Sequence, residues 1–111
     1  MGKNQPLEIL PGTLDLLILK ALVRGRMHGY GIASMLKATS DDVLDVGESS
    51  LYPALQRLLL NDWVAAEWGA SENNRRARYY TLTPAGRKQL SSERRDFERM
   101  VAAIQRVLQT D

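Results

Sequence analysis

Residues 48–86, ESSLYPALQRLLLNDWVAAEWGASENNRRARYYTLTPAG, decide how the rest of the chain is read. The segment opens as a helix. Glu48, Ser49 and Ser50 offer capping groups, and Leu51, Leu55, Leu58 and Leu59 recur at the spacing of one helical face. Pro53 falls early enough to be assigned to the first turn, where its missing N–H costs nothing. Tyr52, Gln56 and Arg57 lie off the apolar stripe. Two β-rich runs follow, residues 63–68 and 78–83, separated by GASENNRRA over 69–77. Glycine and paired asparagines tolerate turn geometry, so this reads as a hairpin with a long, polar, basic tip. Thr83-Pro84 then supplies a cap and a first-position proline for a last helix.

That last helix runs without a breaker from about Ala85 to Gln109. Leu90, Phe97, Met100, Val101, Ile104, Val107 and Leu108 follow a three-four spacing along one side. At 1.5 Å per residue it spans roughly 37 Å, well beyond the ~13 Å radius of gyration of a domain this size. Its stripe has to meet something outside its own domain, and a second copy of the chain is the simplest partner.

Upstream, TLDLLILKALV (residues 13–23) is apolar on nearly every side, implying a helix buried on several faces. Thr13 and Asp15 suit its start and Gly25 its stop. A second helix is expected from His28-Gly29-Tyr30 to about Ala38, with Ile32, Ala33, Met35 and Leu36 inward. Residues 39–48, TSDDVLDVGE, read as an acidic loop holding at most a tiny strand. Three helices, a basic-tipped hairpin and a further helix make the winged helix-turn-helix order: mainly α with a small β-hairpin. Residues 1–83 are expected to form the DNA-binding domain and 84–111 the dimerisation helix, in one compact unit.

Composition narrows the chemistry. The 111 residues are 44% hydrophobic and 25% charged, ordinary for a globular domain and too apolar for disorder. With no cysteine and one histidine, disulfides, thiolate metal sites, cysteine nucleophiles and histidine relays have no material, and no cofactor is expected. Serines are present, but a serine nucleophile needs a base and an orienting group, and His28 has no recognisable partner motif, so no enzyme is expected. No apolar run reaches membrane-spanning length and the MGKNQP start lacks a signal peptide's apolar core, which points to the cytoplasm.

Charge is informative by region. Six bases balance six acids over residues 1–60, whereas nine bases face seven acids over 61–111, which accounts for the net +2. Arg75, Arg76 and Arg78 fall within four positions with no acid between them. Alone, such a run reads equally well as a solvated loop. At a hairpin tip beside a candidate recognition helix it suits phosphate contact. In that arrangement Ser49, Ser50, Tyr52, Gln56 and Arg57 face DNA from the helix, and Asn73, Asn74, Arg75, Arg76 and Arg78 from the tip.

Four segments carry a resemblance: Gly12-Thr13-Leu14-Asp15, His28-Gly29-Tyr30-Gly31, Ser50-Leu51-Tyr52-Pro53-Ala54-Leu55, and Arg78-Tyr79-Tyr80-Thr81-Leu82-Thr83-Pro84-Ala85-Gly86. In order and spacing they resemble the PadR family of bacterial transcriptional regulators, in its short form with one C-terminal dimerisation helix, over residues 7–110. Ala66-Glu67-Trp68-Gly69 and residues 71–76 further resemble a subgroup described from Acidobacteria. The resemblance implies a homodimeric repressor on a roughly palindromic operator, often released by a small molecule. In some short members a tryptophan of the last helix stacks on flat apolar ligands between subunits. Phe97 stands at the corresponding position, so an apolar or aromatic effector is an expectation tied to that residue, beside its reading as plain dimer core.

Other positions stay open at this stage. Tyr30 reads as core packing or as a phosphate contact through its hydroxyl. Tyr52 and Pro53 are split between structural and DNA-facing work. His28 is read as a helix-start or packing residue rather than a pH switch, and Trp63 and Trp68 as core or interface. The rival function is a winged-helix protein-interaction module without DNA binding, suggested by the small net charge and by Asp41, Asp42, Asp45 and Glu48 just ahead of the candidate recognition helix.

Overall fold

In a computed structural model, described over residues 6–10 and 12–111, the chain forms α1 (Leu14–Ala21), a 3-10 turn (Leu22–Arg24), β1 (Met27–His28), α2 (Gly29–Thr39), α3 (Glu48–Leu60), β2 (Val64–Ala70), β3 (Arg76–Leu82) and α4 (Pro84–Leu108). The apolar run of α1 is the hub. Leu16, Ile18, Leu19 and Ala21 are buried, and the helix touches α2, α3 and α4. Ile32 and Leu36 of α2 and Leu51, Ala54, Leu55 and Leu58 of α3 close over it, with Val64 and Tyr80 from the hairpin. The expected loop at 39–48 holds one bridge, a parallel pairing of Leu44 with Leu7.

Several local expectations need correction. Thr13 occupies the cap position of α1 but makes no cap bond, because its hydroxyl donates to the Leu10 carbonyl at 2.6 Å. The cap residue of α3 is Gly47, and neither Ser49 nor Ser50 caps it. Because α3 begins at Glu48, Pro53 lies in the second turn, where its ring removes the bond a residue there would donate to the Ser49 carbonyl. His28 does start α2: its Nδ1 accepts from the Gly31 N–H at 3.0 Å. Thr83 caps α4 in the same way, accepting from the Gly86 N–H at 2.9 Å.

Two aspartates stand where glycine usually ends a helix. Asp62 takes a left-handed φ of 59° after α3, and the N–H groups of Asp62 and Trp63 donate to Leu59 and Leu58, the paired bonds of a Schellman stop. Asp41, φ 54°, ends α2 in the same manner. Part of the acidity ahead of α3 therefore has a backbone role.

The sheet has three antiparallel strands in the order β1-β3-β2. The two-residue strand β1 has no sequence pattern to announce it. The hairpin strands run further than expected, to Ala70 and back from Arg76, and the tip shortens accordingly. A turn over Ser71–Asn74 closes with the Asn74 N–H donating to the Ser71 carbonyl at 2.9 Å. Asn74 has φ 59°, and the Ser71 N–H donates back to Arg75 at 2.7 Å. This is a type I turn followed by a left-handed bulge residue, a preferred three-residue hairpin loop.

The first turns of α4 belong to the domain. Gly86 is buried and Leu90 packs against the core of its own chain. The Thr83 N–H donates to the Trp63 carbonyl at 3.1 Å and its hydroxyl to the Asp62 carbonyl at 2.7 Å. A Cβ at Gly86 would run into the Trp63 carbonyl oxygen and stand 2.8 Å from Leu82 Cδ1, so only glycine allows this approach. Beyond Leu90 the helix projects. The radius of gyration is 15.5 Å and the longest extent 57 Å.

Candidate nucleic-acid interface

The buried residues of α3 (Leu51, Ala54, Leu55 and Leu58) occupy one side of the helix. Their spacing leaves Ser49, Pro53, Gln56 and Leu60 along the opposite, exposed side, flanked by Tyr52 and by Ser50 and Arg57. Tyr52 and Gln56 line a cleft of about 790 Å³ between α3, the start of α2 and the hairpin. Ser49, Ser50, Pro53 and Arg57 border a second concavity, formed with Asp45 and the segment around Leu10. The residues expected to act together from this helix thus divide between two flanks.

Register decides what the hairpin presents. The directly opposed pairs Val64–Leu82, Ala66–Tyr80, Trp68–Arg78 and Ala70–Arg76 share one face. Near the base that face is core, with Val64 and Tyr80 buried. Towards the tip the same face leaves the core and becomes a wall of the cleft, carrying Trp68, Arg78 and Arg76. The cleft also contains Tyr30, 78% exposed on the first turn of α2, which removes core packing as its role. Tyr52 lies over Gly29, where a Cβ would meet its hydroxyl at 2.9 Å. Tyr80 is buried at the back of the cleft. Burial pushes its phenol pKa up, while the charge of Arg78 pulls it down.

The arginines fall into two groups. Arg57 forks onto Asp15, its Nη2 donating at 2.8 Å and its Nε at 3.3 Å, and Asp15 raises the guanidinium's pKa further above its already high value. Arg26 pairs with Glu67 at 3.0 Å and lies over the Tyr79 ring at 4.1 Å. Glu67 and Tyr79 oppose each other on the hairpin face turned away from the cleft. By contrast Arg75, Arg76 and Arg78 have no acidic partner among the described residues. Arg76 rests over the Trp68 ring at 4.6 Å and Arg78 over the Tyr80 ring at 6.0 Å. Asn73 joins the cleft edge from the tip, and Asn74 serves the turn itself. Trp68, Tyr80 and His28 line the cleft without having been singled out for it, although counting alternate positions from Val64 places Trp68 beside the arginines.

Known proteins share this sequence pattern and winged-helix fold. The model of the Transcriptional regulator PadR-like family matches residues 18–92. The chain belongs to this family. Among solved structures, a transcriptional regulator from Clostridium thermocellum superposes with a TM-score of 0.79 at 29% identity, covering 86% of this chain and 92% of that one. A PadR family transcriptional regulator from Eggerthella lenta gives 0.77 at 25% identity, covering 90% and 85%. A protein of Lysinibacillus sphaericus is 27% identical over 84 residues, 76% of this chain and 77% of its own length. This PadR-like chain is thus a non-enzymatic transcriptional regulator with a DNA-binding winged helix. No helix among its described residues is long and apolar enough to cross a membrane.

Proposed function

We propose that this PadR-like chain is a sequence-specific homodimeric repressor. Two copies pair through α4, and each sets the exposed side of α3 into a major groove, the two helices roughly 34 Å apart. Ser49, Ser50, Tyr52 and Gln56 meet base edges or adjacent phosphates, with Tyr30 and Arg57 at the flanks. Asn73, Asn74, Arg75, Arg76 and Arg78 meet backbone from the hairpin. The observation that carries this reading is the pair Arg76 and Arg78, without acidic partners among the described residues and lining the same cleft as Tyr52 and Gln56. Arg75 lies outside that lining.

Pairing is supported by the outer part of α4, where Phe97, Met100, Ile104, Val107 and Leu108 are exposed together and Val101 is half-buried. A stripe of that length left in water is unfavourable, and a self-complementary two-fold contact covers it. Phe97 is also where an apolar or aromatic effector has a ring to stack on between the two helices. Such a molecule releases DNA only through unequal affinity for the DNA-competent and incompetent dimer geometries.

The test is fluorescence anisotropy on DNA from upstream of the protein's own gene, against a scrambled duplex, over several salt concentrations. Preference for the own-gene duplex by 10³ or more, with a steep salt slope, is the expected result. Equal weak binding to both moves the operator elsewhere. No binding to either at low salt replaces this reading with the protein-interaction module.

A further inference from the structure

Trp68 is an anomaly for a core or hairpin-stabilising residue. It stands on the inward face of β2 yet is 57% exposed, beyond the point where that face leaves the core. Its direct cross-strand partner is Arg78, and Arg76 sits diagonally one step nearer the tip. The Arg76 guanidinium lies over the indole at 4.6 Å. The ring thus borders the cation on one side, and the guanidinium donates no side-chain hydrogen bond among the described residues. Arg76 forms no ion pair with an acid among the described residues, although Glu72 of the turn lines the same cleft. Tyr52 and Gln56 of α3 line the same cleft.

We infer that Trp68 is a positioning residue for DNA binding: its indole holds the Arg76 guanidinium in the cleft, where one sugar–phosphate strand passes between α3 and the hairpin. A free arginine side chain loses much rotamer freedom when it grips a phosphate. Stacking on a fixed ring removes part of that loss before DNA arrives. The proposal rests on the DNA-binding reading above and adds a residue that acts through Arg76.

The test is a double-mutant cycle on a random-sequence duplex at low salt, since phosphate contacts are independent of sequence. With both protomers contributing, Arg76→Ala weakens binding by roughly 60-fold at 0.1 M salt and reduces the salt slope by about 1.8. Trp68→Leu alone weakens it by about 5- to 30-fold, and Trp68→Phe restores most of the loss. In an Arg76→Ala background, Trp68→Leu changes affinity less than about twofold, whereas its effect survives in an Arg78→Ala background. A distorted hairpin would couple Trp68 to both arginines and would not be rescued by Phe. Equal losses in all three backgrounds would show Trp68 touching DNA itself and overturn the positioning role. Unchanged affinity for Trp68→Leu would overturn it too. A wild-type protein that binds no duplex removes the DNA reading, and this proposal with it, a result distinct from all of the others.

Discussion

Replacing Arg76 and Arg78 together with Ala separates free cations from bound ones. Each wild-type guanidinium lies in the cleft without an acidic partner among the described residues, so each is available to one phosphate. A phosphate contact contributes about 0.9 to the slope of log affinity against log salt on duplex DNA. Two arginines in each of two protomers give four contacts, and their loss lowers the slope by about 3.6, with an affinity loss on the order of 10³-fold at 0.1 M salt. A monomer on DNA would lose only about 1.8, so the same titration reads stoichiometry. Arg26→Ala is the control. It removes an identical charge from the same hairpin region, but one already neutralised by Glu67 on the far face, so its slope stays within about 0.5 of wild type. Anisotropy titrations from 0.05 to about 0.3 M salt measure all three proteins. If Arg26→Ala and the double variant lost equal slope, partner geometry would have no bearing on which arginines meet phosphate, and the reasoning would be refuted.

Three further outcomes are expected. Gly86→Ala should lower the melting temperature by roughly 10 °C, from an overpacking cost of about 2–3 kcal/mol; intrinsic helix propensity alone predicts a rise, so the sign of the shift decides. Ile104→Glu places a charge in the middle of the exposed α4 stripe and should shift the protein to monomer in sedimentation, while the far-ultraviolet spectrum of the winged helix persists. Tyr80 has its pKa raised by burial, so the folded chain holds the phenolic proton more tightly than the unfolded one. Its contribution is present below the ordinary tyrosine pKa of about 10 and is lost as pH rises through the higher folded value. Tyr80→Phe should therefore flatten the decline in denaturation midpoint as pH rises above about 10, and an unaltered decline would assign it to other groups.

Much of the fold can be read from the sequence because its signals are local. Thr83-Pro84 marks the start of α4 to the residue, and the apolar run of α1 announces burial on several sides. The misses are of two kinds. Some are local rules overridden by neighbours: Thr13 has the right residue type for a cap, but its hydroxyl finds the Leu10 carbonyl instead. Others are long-range. Arg57 and Asp15 stand 42 positions apart, so no spacing rule shows that one candidate DNA contact is already forked onto a carboxylate. The hairpin falls between the two. Its residues mark a turn, but its length depends on Asn74 accepting a left-handed backbone, which carries the ladder out to Ala70 and Arg76. That extension is what adds Arg76 to the face that Arg78 shares with Trp68.

The joint at Thr83 and Gly86 has a metric consequence. Backbone of the hairpin base and backbone of α4 touch there with no side chain between them, and three hydrogen bonds of Thr83 fasten the contact. A helix of 25 residues is an arm of roughly 37 Å, so a tilt of about 5° at the joint moves its far end by about 3 Å, nearly one base-pair step. In the proposed dimer each reading head hangs from such an arm. Angular stiffness over a few atoms at Trp63 and Gly86 then sets the tolerance of a molecular caliper, and with it how many half-site spacings one dimer can measure.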